Sequence, residues 1–314
     1  MKLRIKAKIR TICPAVLLAA AGIVAAVVVA GCGGGKTGLT DGGERLNVAV
    51  SIEPLRYFVS AVGGDSVDVS VVMPRGADPE TFEPGVTAMK KMHSADVLLT
   101  TGLLPFEKRL ESAGPESTLR FGVSDGVRLI YGTHDAAHHG HGAAVGGETH
   151  AHGEADPHVW SSVENARIIA GNVVEALVSA DPEHGGYYRE RGRVLQARLD
   201  SLAVVWHQRV APKAGDAFVV WHPALSYFAR ENGLRQIALN VDNKENSSLR
   251  LRDVIEEARS QGARALFVAK GVNPAQTVTV AAELGVRPVE IDVMSSDWEG
   301  EMNKVVNAIA EPGR

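Results

Sequence analysis

The chain has 314 residues, 45% of them hydrophobic and 22% charged, with a formal net charge of −4 at pH 7. That length allows two domains with packed cores, and the composition excludes a disordered or collagen-like chain. Its two cysteines, Cys13 and Cys32, leave no disulfide framework, so stability has to come from apolar burial.

Lys2, Arg4, Lys6, Lys8 and Arg10 precede an uninterrupted apolar run from Ile12 to Ala30, the pattern of an export signal over residues 1–31. Val29-Ala30-Gly31-Cys32 resembles a bacterial lipobox, which implies cleavage before Cys32 and lipidation of its sulfur. The run is close to spanning length, so an uncleaved anchor is the alternative. Either way the body is expected outside the cytoplasm. Without the five signal cations, 28 Lys and Arg face 37 Asp and Glu, a net charge of −9. Such acidity suits a cation and disfavours nucleic acid as a partner.

Residues 32–45 are Gly-rich and read as a flexible tether. Strand and helix signals then alternate. Leu46 to Ile52, Val67 to Met73 and Asp96 to Gly102 read as strands, with helices at Pro54 to Val62 and Val86 to Met92. Short strands are expected around Leu119 to Val123 and Val127 to Tyr131. This alternation predicts an α/β lobe with a mostly parallel sheet over 46–182.

The stretch 133–155 interrupts that lobe. It holds His134, His138, His139, His141, His150 and His152 among Gly and Ala, with no apolar period, so it is expected to be a metal-collecting loop. His158 is set apart by the turn signal Asp156-Pro157 before it and by a helix after it, with Ser161 or Ser162 as N-cap.

Val163 to Leu177 reads as a helix, broken at Asp181-Pro182. From Glu183 to Val210, Leu195, Leu199, Leu202, Trp206 and Val210 make one helical stripe, roughly 40 Å long at 1.5 Å per residue, over a linking element at 183–211. A second α/β lobe, 212–314, follows. Its strands are Ala217 to Trp221, Arg235 to Leu239, Ala265 to Ala269 and Arg287 to Asp292. Its helices are Ala224 to Asn232, Leu249 to Gln261, Ala275 to Leu284 and Met302 to Ala310.

Ligands of open α/β sheets gather beyond the carboxyl ends of strands. Glu80, His158, His222 and Asp292 occupy strand-end or loop positions of that kind. Two imidazoles and two carboxylates suit Zn²⁺, Mn²⁺ or Fe²⁺. Singly, each has a plainer reading: Asp292 as an N-cap, His222 as a strand-end histidine, Glu80 as a solvated loop residue. Their recurrence in both halves favours a shared site. Trp160 and Trp221 flank ligand candidates and are expected to form an apolar surround. His93, His184 and His207 are expected on helices, facing solvent.

GADPETFEP (Gly76 to Pro84), DPHVWSSVENA (Asp156 to Ala166), WHPALSYFARENGL (Trp221 to Leu234) and the VEID segment resemble the four ligand-bearing motifs of the substrate-binding lipoproteins of ABC-type zinc and manganese importers. The resemblance runs from Leu46 to the C-terminus. It implies a monomeric clamp of two α/β lobes joined by one long rigid helix, with metal held between them and delivered to an ABC permease. It places His158, His222 and Asp292 at ligand positions. At the first position the family usually has His where this chain has Glu80, which either binds directly or leaves a water in its place. His222 and the His-rich loop match zinc members, so Zn²⁺ comes first and Mn²⁺ or Fe²⁺ second. Rival readings are a metallohydrolase, for which no general base or nucleophile motif is present, and a periplasmic zinc buffer or adhesin.

Overall fold

Four parallel strands form each of two sheets, and the two share one connection pattern. The computed structural model describes residues 45–132, 154–239, 248–270 and 272–311. The export signal, Cys32, most of the tether and all six histidines from His134 to His152 lie outside the described residues. Arg45–Arg314 forms one compact unit.

In the first sheet the order is β2-β1-β3-β4, from β1 (Leu46–Val50), β2 (Val67–Val71), β3 (Val97–Thr100) and β4 (Leu119–Gly122). In the second it is β6-β5-β7-β8, from β5 (Ala217–Val220), β6 (Arg235–Ala238), β7 (Leu266–Ala269) and β8 (Pro288–Ile291). All pairings are parallel. Because β1 and β5 each have neighbours reached in opposite directions, each sheet has a switch point at its carboxyl edge, where ligand-binding loops splay apart.

The first sheet is covered by α1 (Glu53–Gly63), α2 (Val86–His93), α3 (Pro105–Ala113) and α4 (Val163–Ala180). Pro54 stands in the first turn of α1, where a missing N–H costs nothing, and Leu55, Phe58, Val59 and Val62 turn its buried face to the sheet. The long helix, α5 (Gly185–Val210), is followed by α6 (Ser226–Asn232), α7 (Ser248–Ser260), α8 (Pro274–Leu284) and α9 (Trp298–Ala310).

The stripe Leu195, Leu199, Leu202, Trp206 and Val210 is buried along α5 as its spacing predicts. Gly192 breaks no turn; a Cβ there would lie 2.4 Å from Val174 Cγ2, so its absence lets α4 and α5 approach closely. On one side α5 bonds to α1 and α4 through Arg191 to Ala61 O (2.9 Å) and Gln196 to Arg167 O (2.6 Å). On the other it bonds to α9 through Trp206 Nε1 to Asn303 Oδ1 (2.8 Å) and the Arg198–Glu299 ion pair. Trp298 of α9 packs its ring against Tyr57, Phe58 and Trp206, with centroids 5.4, 5.5 and 5.7 Å away. One apolar core therefore runs from the first sheet through α5 to α9 and the near face of the second sheet. A smaller core lies on the far face, around Val219, Ile237, Leu266 and Val280.

Four local expectations need correction. Val127–Tyr131 forms no strand; its one ladder contact is an antiparallel bridge from Tyr131 to Ala155. The α3 helix was not anticipated. The last helix begins at Trp298, four residues early, because Asp297 caps it by accepting from Gly300 N at 3.2 Å. His184 precedes α5 and is half-buried, its Nδ1 2.8 Å from Asp181 Oδ2; His93 and His207 are exposed.

Candidate metal centre

Glu80 sits in the loop between β2 and α2. Asp78 Oδ1 accepts from Glu80 N at 2.9 Å, a turn that fixes the backbone under the carboxylate. Beyond it, Phe82 packs edge-on against Phe106 of α3 at 5.0 Å, and Glu83 pairs with Arg109. The loop is thus held at both ends.

His158 is held more tightly still. Its backbone N and its ring Nδ1 both lie 2.9 Å from Asp156 Oδ1. An ionised carboxylate can only accept, so Nδ1 carries the ring proton and Nε2 presents a lone pair. Burial pushes the Asp156 carboxyl up, but its hydrogen bonds from the His158 ring and backbone N outweigh it and hold the pKa below the usual aspartate range. Trp160 packs 5.4 Å from the imidazole and donates Nε1 to Val293 O at 2.8 Å. Ser162, the N-cap of α4, accepts from Asn165 N at 3.2 Å and ends the segment's freedom.

His222 lies two residues past the end of β5, after Trp221. Its position is tied to that of His158 through α6: Tyr227 Oη donates to Asp156 O at 2.7 Å and accepts from Ile130 N at 3.3 Å. Glu231 of the same helix accepts from Ser162 Oγ and from Glu164 N, so a carboxylate sits at the start of α4. Burial pushes that carboxyl up.

These three ligand-type side chains converge. The Nε2 atoms of His158 and His222 lie 3.3 Å apart, and His222 Nε2 lies 3.5 Å from Glu80 Oε1. All three atoms fall within 4.8 Å of one another. Zn–N and Zn–O bonds of about 2.0–2.1 Å in a tetrahedron set ligand atoms about 3.3–3.4 Å apart. The two separations are close to the length of such tetrahedron edges. The His158 ring is almost wholly buried, while His222 and Glu80 are about a quarter exposed, so a cation can enter from one side. Behind them lies a cavity of about 180 Å³ walled by Val220, Trp221, Phe267 and Met294, apolar surroundings that strengthen charge–ligand attraction.

Asp292 is not among the three. It is exposed at the end of β8, with Oδ1 accepting from Met294 N at 3.0 Å, and it faces an adjoining cavity of about 620 Å³. The residue that sequence reasoning missed is Asp156, read only as part of a turn. An Asp two positions before a ligand His is the available signal, since that spacing lets one carboxylate meet both the backbone N–H and the ring.

With this geometry in place, the similarities become informative. The sequence profile of the family described as zinc-uptake complex component A, periplasmic, matches residues 48–311. The chain belongs to that family. A Treponema pallidum protein named as a metal-binding protein is 29% identical over 264 residues, 82% of each chain. The Streptococcus pneumoniae manganese ABC transporter substrate-binding lipoprotein PsaA is 25% identical over 275 residues, 84% of each. A crystal structure of ZnuA superposes with a TM-score of 0.74 at 26% identity, covering 86% of this chain and 99% of that one.

Members of the family are extracytoplasmic substrate-binding proteins of ABC importers, which work with a membrane permease and are not enzymes. The metallohydrolase reading is set aside on that ground. Among the described residues no helix is long and apolar enough to cross a membrane.

Proposed function

We propose that this chain captures a divalent transition metal, Zn²⁺ first, and delivers it to an ABC permease. His158, His222 and Glu80 are the core ligands, and Asp292 is the fourth, reached by a turn of its side chain or a small movement of the β8 end. One observation carries the reading: two imidazole nitrogens and a carboxylate oxygen from three distant segments meet at spacings that suit one ion. Cys32 carries the lipid that anchors the monomeric body outside the cytoplasm, and the histidines from His134 to His152 gather metal at low affinity.

Manganese is the second reading, favoured by a specific feature. With Glu80 in place of a histidine the set is two imidazoles and two carboxylates, harder than a histidine-rich set and better matched to Mn²⁺. Native mass spectrometry with competing Zn²⁺ and Mn²⁺, on wild type and on Glu80→Ala, tests both points. Zinc retained by wild type and weakened by the substitution is the expected result; equal retention by both proteins removes Glu80 from the ligand set.

A further inference from the structure

The 620 Å³ cavity beside the metal centre has a wall from each sheet. Arg75, which follows β2 and Pro74, lines it on one side, and Asp292 and Lys270 line it on the other. Arg75 is pinned at one point only: Nε donates to Glu53 Oε1 at 2.8 Å, and Glu53 is buried in the first turn of α1. Neither Nη atom makes a hydrogen bond to a described residue, so the open part of the guanidinium fork is available to a carboxylate across the cavity. Among the described residues the Asp292 carboxylate is engaged through Oδ1, by Met294 N, while its backbone N donates to Glu301 Oε2. The Glu53 hydrogen bond and its charge, with a smaller contribution from the charge of Asp292, raise the Arg75 pKa. Among the described residues Asp78, Glu53 and Lys270 are the other charged groups on this cavity, and Arg75 is the cation there that pairs with a buried carboxylate.

We propose that Arg75 is a positioning residue for metal capture, its guanidinium competing with the bound cation for the Asp292 carboxylate and so setting how readily metal is released. The inference rests on Asp292 being the fourth ligand. A carboxylate that can turn either to a cation in the centre or to a guanidinium beside it gives a receptor a low-cost way to let go. Arg75 supplies the replacement partner at the moment Asp292 leaves the ion.

The test measures Zn²⁺ affinity by competition with a chromophoric chelator, and release by stopped-flow mixing with excess chelator. It compares wild type, Arg75→Gln, Arg75→Lys, Asp292→Asn and the Arg75→Gln/Asp292→Asn double variant. Gln keeps an N–H for Glu53, and a thermal melt checks that the fold is retained. Arg75→Gln is expected to bind Zn²⁺ roughly two- to five-fold tighter and to release it correspondingly more slowly. The difference shrinks at high salt and vanishes in the Asp292→Asn background, while Arg75→Lys behaves as wild type. Unchanged or weaker binding by Arg75→Gln, or the same gain with and without Asp292, overturns the proposal. Asp292→Asn binding as tightly as wild type is a separate result, which removes the fourth ligand itself and this inference with it.

Discussion

The imidazole Nδ1 of His158 lies 2.9 Å from Oδ1 of Asp156, and this contact decides which ring nitrogen is left for a ligand. Both groups are almost wholly buried, so water does not substitute for the pairing. Asp156→Asn keeps the shape but can no longer hold the proton on Nδ1 by charge. Metal affinity is expected to fall about 10- to 100-fold, with the circular-dichroism spectrum unchanged. Affinity equal to wild type in a chelator competition would show that the tautomer is fixed by something else.

Glu80→His places a third imidazole at the proposed ligand set and removes one negative charge from the centre. The Zn²⁺ over Mn²⁺ preference is expected to rise about ten-fold or more, since Mn²⁺ favours oxygen and Zn²⁺ accepts nitrogen readily. Competition measured by native mass spectrometry reads this directly, and an unchanged ratio counts against Glu80 as a ligand.

Proton competition gives a second handle on the centre. An imidazole binds metal only when neutral, so if the proposed ligation holds, Zn²⁺ affinity is expected to fall as the solution is acidified. Titrations at neutral pH and near pH 5 with equal affinity would exclude imidazole ligation.

Asp181 sets the acid stability of the junction between α4 and α5. Burial raises its carboxyl, but hydrogen bonds from Tyr188 Oη at 2.7 Å, from His184 N and from the His184 ring outweigh it and leave the pKa lowered. A lowered folded-state pKa means that the carboxylate stabilises the fold above the unfolded aspartate value of about 3.9, and that this is lost as pH falls through the folded value. Asp181→Asn should cost about 1–2 kcal/mol in urea unfolding at neutral pH, and the loss should narrow in acid. A loss that stays constant into acid would mean the charge is not involved.

Trp298→Ala removes the ring that α9 inserts between α1 and α5. At 2% exposure and with three aromatic neighbours, it should cost about 3–5 kcal/mol, seen as a lower urea midpoint. A shift under about 1 kcal/mol would show that α9 docks by other contacts.

The alternation of strands and helices was legible because each strand here is a short apolar run and each helix carries a buried stripe. What escaped notice lacked those signals. In α3 the fully apolar turn-to-turn pair is just Phe106 and Leu110, and its start is fixed by Glu107, whose buried carboxylate accepts from Leu103 N and Leu104 N at 3.1 Å each. Val127 to Tyr131 alternates like a strand, but its backbone bonds go elsewhere: Val127 N to Ser124 O in a turn, and Ile130 N to Tyr227 Oη. In the centre, position along the chain located Glu80, His158 and His222, since each follows a strand or a rigid turn. It could not give side-chain direction, and Asp292 shows the difference: the right place at the end of β8, with its carboxylate turned to Met294 N.

Trp298 also bears on how the molecule comes into being. Residues from Val48 to Ile309 share one core, and the last helix completes the packing of the first. A chain cut within α5 would therefore divide the larger core, and the two fragments are expected to be less stable apart than joined.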